Sequence, residues 1–482
     1  MLNNLHVLST IILTGHWLIV VGLSVRVITR RLPIGVSLAW LTVVFSVPFA
    51  GAAAYLVFGG KRLGAEWIAR HNVVQFSAES ALTDVRESRF STLPPSGIIG
   101  ETLCRQTVAI MGMPALTDNR MTLLQDYESI FDAWVESIDQ AQKCCRLAFY
   151  IWNEGGRADD VVQALLRARN RGVKCQILID AVGSKEFVKG KKLKHLRTAG
   201  IEVAEALPPS IRRRADLRYH RKMVVIDDRV GFAGSQNMVD PRFFKQEYGV
   251  GRWVDAVAKI EGPAVSLLAN VFEQDWCIET GKKFETPTPW QQHAENEIFK
   301  GALVQVVPSG PAPHSDAIRQ LLLTAIYSAR KTLTLTSPYF VPDEAVLTAL
   351  FSAALSGVKV TLIVPAKNDS LLVRYASAAH FDDLMNAGVQ IAMFQSGLLH
   401  TKSLVVDESV CLFGSVNLDM RSFWLNFESS LFVYGSEFTA SVVELQQSYL
   451  AQSVFVDFDE WRGRSSSRRF VENAFRLMGP LL

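Results

Sequence analysis

Two matched sets of side chains carry the chemistry available to this chain. The first runs from His220 to Asn237 and reads HRKMVVIDDRVGFAGSQN. The second runs from His400 to Asn417 and reads HTKSLVVDESVCLFGSVN. His220/His400, Lys222/Lys402, Asp227/Asp407, Ser235/Ser415 and Asn237/Asn417 all recur at one offset, 400 − 220 = 180 residues. An imidazole can attack an electrophile or carry a proton, and an ammonium neutralises an anion. A hydroxyl and an amide donate hydrogen bonds. Together they suit a phosphate. A single His-x-Lys on a strand is ordinary surface sequence, but its repetition with the Asp, Ser and Asn positions also matching is not.

The elements that must hold these residues follow from local composition. Val224-Val225-Ile226 and Leu404-Val405-Val406 are apolar and mostly β-branched, which favours strands. Residues two apart on a strand share a face, so His220 lies beside Lys222 and His400 beside Lys402. Asp227 and Asp407 sit at odd offset and open turns. A second strand then ends at Gly-Ser-x-Asn. Signature spacing makes Asp227 and Asp407 the obvious catalytic carboxylates, but strand parity turns them away from the histidines and assigns them to the turns. An imidazole that exchanges a proton needs an acid on its other nitrogen. Glu247 follows His220 by 27 residues and Glu428 follows His400 by 28. These two are expected to orient His220 and His400 respectively, with Asp255 as the competitor in the first half.

Around this centre the chain alternates helix and strand. Helices are expected over Asp126–Lys143, Asp159–Asn170 and Lys185–Thr198, with strands over Arg146–Trp152, Val173–Ala181 and Ile201–Ala204. The same order repeats from Ala317 to Phe394. Such alternation predicts α/β layers in two similar domains. The expected divisions are a transmembrane hairpin over 1–60, a connection over 61–122, a first domain over 123–279, a linker over 280–300, a second domain over 301–458 and a basic C-terminal segment over 459–482.

The hairpin rests on two charge-free runs, Met1–Val25 and Leu32–Gly60, each longer than the roughly 20 residues that cross a bilayer. Pro48 is placed to kink the second. The start MLNNLH lacks the basic residues of a secretory signal. Three arginines in the connecting loop (Arg26, Arg30, Arg31) balance three basic residues beyond the second run (Lys61, Arg62, Arg70), so loop charge does not set the orientation. Six cysteines without a C-x-x-C pair argue against zinc or a disulfide framework, and for a cytoplasmic catalytic part. Metal and cofactor are not expected. A net charge of +3 gives no support for nucleic acid as partner. Arg212, Arg213 and Arg214, just before His220, form a basic run suited to a lipid head group or to a solvated loop.

The doubled H-x-K-x4-D and G-S-x-N pattern resembles the phospholipase D superfamily. The N-terminal hairpin, FGGKRLG at 58–64, SPYFVPDE at 337–344 and GSVNLDMRSFWLNFE at 414–428 narrow the resemblance to bacterial cardiolipin synthases of the phospholipase D type. That resemblance implies two tandem α/β domains sharing one metal-free site. It implies condensation of two phosphatidylglycerols into cardiolipin and glycerol, in the bacterial inner membrane. It further implies a phosphohistidine at His220, with His400 as acid and base. Lys222, Lys402, Ser235, Asn237, Ser415 and Asn417 would hold the phosphate oxygens. A hydrolase or a phosphatidylserine synthase of the same superfamily would use the same motifs.

Overall fold

The computed structural model describes residues 2–30, 34–47, 49–59, 63–94, 99–210, 213–290, 301–311 and 316–479. It divides into two compact units, Met1–Ile68 with Pro209–Leu217, and Ala69–Pro208 with Arg218–Leu482.

In the first unit, helix Leu2–Thr29 contains a 24-residue apolar stretch, His6–Thr29, long enough to cross a membrane. Val7, Ile11, Leu18 and Ile28 stand exposed on it. The second charge-free run does not make one continuous span. It forms helices Ile34–Ser46 and Ala50–Phe58, of 13 and 9 residues. Phe49 between them takes a left-handed φ of 58°, which breaks the helical path. Gly51 is needed there, because a Cβ would lie 2.3 Å from the Val43 carbonyl oxygen. Val20, Leu23, Val27, Val44, Ala52 and Tyr55 bury together and pack the three helices into one cluster. Pro48, the expected kink, lies outside the described residues.

The second unit is α/β, as the alternating pattern implies. Among the described residues it has a 16-stranded sheet, and the two halves of the chain mirror each other across its middle. Strand Ala115–Leu124 joins them. One end pairs with Ala302–Ser309 (Ala115 opposite Gln305) and the other with Val257–Glu261 (Arg120 opposite Glu261). This strand straddles residue 123, where the sequence places the start of the first domain. Helix Gly100–Met111 buries Leu103 and Cys104 in the core of the second half, so the expected connection contributes to a domain core. In each half a central antiparallel hairpin carries the motif: Met223–Ile226 with Val230–Gly234, and Ser403–Val406 with Val410–Gly414. Parallel strands flank each hairpin: Cys144–Phe149 beside Lys174–Asp180, and Thr332–Thr336 beside Lys359–Pro365. Helices Tyr127–Gln140 and Arg157–Asn170 cover the first core, and Ala317–Ser328 and Glu344–Leu355 the second.

Candidate active site

Each hairpin turn is built on its aspartate. Asp227 and Asp228 have φ of 53° and 56°, and Asp407 and Glu408 have 48° and 55°. Two successive left-handed residues make the tight turn whose twist matches the strands. Asp227 accepts the backbone N–H groups of Gln142, Lys143 and Cys144 at 2.7–2.8 Å. Asp407 accepts those of Arg330, Lys331 and Thr332 at the same distances. Both carboxylates point to the end of the sheet remote from the histidines. The spacing that lists them as catalytic is corrected by this geometry: they satisfy the start of the neighbouring strand.

The histidines are placed by short strands that cross between halves. Arg218–Tyr219 runs parallel to Asn426–Phe427, and the His220 N–H donates to the Phe427 carbonyl at 2.9 Å. Leu398–Leu399 runs parallel to Trp253–Val254, and the His400 N–H donates to the Val254 carbonyl at 2.8 Å. The next residue on each partner strand is an acid, and it meets the histidine. His220 Nδ1 lies 2.8 Å from Glu428 Oε2, and His400 Nδ1 lies 2.6 Å from Asp255 Oδ1. Each imidazole is thus held by the other half of the chain.

This arrangement corrects the expected acids. Glu428 orients a histidine, but it is His220 and not His400. Glu247 orients neither: it is exposed in the turn Gln246–Tyr248. The acid that the first half supplies is Asp255, and it serves His400. One signal in the sequence identifies the pair. Asp255 precedes Gly262 by 262 − 255 = 7 residues, and Glu428 precedes Gly435 by 435 − 428 = 7.

The serines at the strand ends support these acids instead of facing a phosphate. Ser415 Oγ donates to Glu428 Oε2 at 2.6 Å and accepts the Ser429 N–H at 2.9 Å. Ser235 Oγ accepts the Ala256 N–H at 3.1 Å, beside Asp255. Asn426 Nδ2 adds a donor to Glu428 Oε1 at 3.1 Å. Asn237 Oδ1 accepts the Ile151 N–H at 3.1 Å, leaving its NH2 as the polar group to offer. Asn417 is buried on the matching strand end, with its N–H on Ser422 Oγ at 3.3 Å.

All four reactive groups are buried: His220, Lys222, His400 and Lys402. Burial lowers the pKa of His220 to about 4, against the upward pull of Glu428 and with the help of Lys222 and Lys402. It does the same for His400, against Asp255. Burial also works to raise the pKa of Glu428, but His220, Lys222 and Ser415 outweigh it and hold the carboxyl low. Asp255 is held low in the same way by His400, Lys402 and Ser235. The resting pairs are therefore neutral imidazole and carboxylate, with Nδ1–H donated and the Nε2 lone pair turned outward. Lys222 falls to about 8 and Lys402 to about 7, again through burial first. Lys222 and Lys402 each act electrostatically on the other half's histidine, which places both motifs in one site. Tyr150 packs on His220 at 4.7 Å between ring centroids, and Trp253 on His400 at 4.4 Å. Sequence spacing pointed to neither ring.

The basic run before His220 is engaged locally. Arg214 grips Asp216 through Nε and Nη2 at 2.5 and 2.8 Å, and Arg213 Nε donates to the Leu63 carbonyl at 3.3 Å. These two guanidiniums are used in building their own unit, which argues against the expected head-group role. Arg212 lies outside the described residues.

The arrangement offers two Nε2 atoms flanked by two ammonium groups, which is machinery for displacement at a phosphodiester. Comparison with known proteins agrees. The family model described as cardiolipin synthase, phospholipase D-like domain, matches residues 134–276 and 322–449. Cardiolipin synthase A of Yersinia pseudotuberculosis is 40% identical over 480 residues, covering 99% of each chain, and that of Yersinia pestis is equally similar. Among solved structures, the phosphatidylserine synthase of Haemophilus influenzae superposes with a TM-score of 0.60 at 14% identity. It covers 78% of this chain and 99% of that one, and shows the fold. By the doubled family match and the identity over its whole length, this chain belongs to the cardiolipin synthases of the phospholipase D superfamily.

Proposed function

We propose that the chain is a phosphatidyltransferase that condenses two phosphatidylglycerol molecules into cardiolipin and glycerol through a phosphohistidine. The observation that carries this reading is the pair of crossed contacts, His220 to Glu428 and His400 to Asp255. Each fixes one tautomer and leaves Nε2 reactive.

In the first step His220 Nε2 attacks phosphorus. The N–P bond forms as the P–O bond to the glycerol head group breaks, and His400, having taken up a proton in the presence of the anionic substrate, delivers it to the leaving alkoxide. In the second step neutral His400 takes the proton of a head-group hydroxyl on a second phosphatidylglycerol. That oxygen attacks phosphorus, the N–P bond breaks, and His220 is restored. Lys222 and Lys402 offset the phosphate charge, and the Asn237 amide donates to an equatorial oxygen. Burial of all four groups limits water, which would divert the intermediate to phosphatidate.

The assignment of attack to His220 rests on family resemblance, since the two halves are geometrically alike. Helix His6–Thr29 supports residence in the bacterial inner membrane among anionic lipids. Multi-pass insertion requires residues 34–58 to cross as a broken span, and the buried free cysteines favour a cytoplasmic catalytic unit. Phospholipid, not nucleic acid, is the partner class.

The test is product analysis with purified full-length protein and phosphatidylglycerol labelled in the head group. Cardiolipin with one glycerol released per turnover supports the reading, and phosphatidate as the main product overturns it. Rapid quench should give an acid-labile, base-stable phosphopeptide containing His220. Recovery of the label only on His400 would reverse the assignment of roles.

A further inference from the structure

The acids of the two halves are 428 − 255 = 173 residues apart, whereas the histidines are 180 apart. The first half therefore carries seven more residues between its Gly-Ser-x-Asn and its acid. They fall in the stretch from Pro241 to Arg252, where the second half has the short helix Met420–Trp424. Phe243 and Tyr248 in this stretch are 67% and 56% exposed.

Lys245 fixes the loop to the second half. Its Nζ is 2.9 Å from Asp369 Oδ2, while the Tyr339 hydroxyl donates to Asp369 Oδ1 at 2.9 Å. Lys245 also lies 5.4–5.7 Å from the ring centroids of Phe244, Tyr248 and Trp253, and Trp253 packs on His400. The loop is continuous with the site.

Helix Leu371–Asn386 starts two residues after Asp369, with Leu371 65% exposed and Leu372 beside it. The C-terminal helix Ser466–Arg476 lies antiparallel on it. Arg464 pairs with Asp382 at 2.8 Å near one end, and Phe475 stacks on Tyr375 at 5.4 Å near the other. Leu477, 80% exposed, and Met478 are thereby brought to the start of helix Leu371–Asn386. Three segments distant in sequence converge on one apolar edge. Exposed Arg252, Lys367, Arg374 and Arg476 accompany it, against one exposed acid on the loop, Glu247. Large apolar side chains among cations match an anionic bilayer surface.

We infer that this edge of the catalytic unit, carrying Phe243, Tyr248, Leu371 and Leu477, seats in the interfacial layer of an anionic membrane. The contact is made by this unit's own side chains and brings the site to the lipid surface. The inference rests on the reading that the substrate is a bilayer phospholipid, but its test does not depend on turnover.

All six native cysteines are buried, so single cysteines introduced on the surface can be labelled selectively. Full-length Phe243→Cys, Leu371→Cys and Leu477→Cys would carry an environment-sensitive fluorophore. Thr198→Cys, exposed beside the far edge strand Glu202–Ala206, serves as reference. In vesicles of phosphatidylcholine and phosphatidylglycerol bearing nitroxide lipids, the three edge labels should be blue-shifted and quenched, and the reference should not. Equal quenching at all four sites, or at none, overturns the proposal. So does a blue shift that follows protein concentration in detergent without lipid, which would identify a second copy as the occupant. In the active enzyme, joint Phe243→Ser and Leu371→Ser substitution should raise the half-saturating mole fraction of phosphatidylglycerol about tenfold. An unchanged half-saturation counts against the edge.

Discussion

Glu428 and His220 are 208 positions apart in the chain and 2.8 Å apart across the site. The contact makes each half incomplete without the other, since Asp255 closes the reciprocal bond on His400. Glu428→Gln should keep the fold, because Ser415 and Asn426 can still bond the amide. It should lower turnover by between about 100-fold and 10,000-fold, through loss of tautomer control and of imidazolium stabilisation. Asp255→Asn should behave alike, whereas Glu247→Gln should leave turnover unchanged. Steady-state rates, with circular dichroism to confirm folding, check the set. A fully active Glu428→Gln enzyme would remove the crossed pair from the mechanism.

The turn aspartates should behave in the opposite way. Asp407 accepts three backbone N–H groups at the start of strand Thr332–Thr336. Asp407→Asn retains a side chain that tolerates the left-handed turn but removes the charge, and should cost about 1–2 kcal/mol of stability. Turnover per folded molecule should stay near that of the parent. Thermal melts and active-site titration separate the two quantities. A steep loss of turnover at unchanged stability would return Asp407 to the chemistry.

How much of this was legible can be traced residue by residue. The β-branched runs and their parity gave the hairpins, and the same parity turned Asp227 and Asp407 away from the histidines. The acids were harder. Assigning Glu247 assumed that equal distance after the motif means equal place, and the seven-residue excess in the first half breaks that assumption. Which half an acid serves depends on strands only two residues long, Arg218–Tyr219 and Leu398–Leu399, that reach across to the other half. Two residues are too few for any periodicity. The break in the second charge-free run was equally hidden, because the composition of 32–60 is the same whether its helix is continuous or interrupted at Phe49.

Charge neutralisation in the site is assigned to Lys222 and Lys402, so activity should not depend on a divalent ion. Exhaustive chelation followed by assay in chelator should leave the rate within about twofold of the untreated enzyme, because the two ammonium groups supply the positive charge a metal would bring. Loss of activity restored only by a divalent cation would overturn this assignment of charge to the lysines.

The lysines also give the pH profile its alkaline limb. An ammonium helps a phosphodiester anion only while protonated, and burial brings Lys402 to about 7 and Lys222 to about 8. Hence kcat/KM, which reports the free enzyme, should fall as pH rises through 7–8, far below the ordinary lysine range. On the acid side the nucleophile, His220, must be neutral to attack. With His220 lowered to about 4, the acid limb should lie near 4 and not near 6.5. Stability follows the same groups by linkage. Between pH 6.5 and 4 the unfolded imidazoles bind protons that the folded ones do not, so stability is full above 6.5 and falls as pH drops toward 4. For the lysines the unfolded chain binds more protons between about 7 and 10.5, so their contribution rises with pH across that window. The enzyme should thus lose kcat/KM on the alkaline side without unfolding, while acid threatens fold and activity together. Rates and melting temperatures measured on the same samples from pH 4 to 10 check this. A rate that holds level to pH 10 would mean that the lysines keep their ordinary pKa in the site.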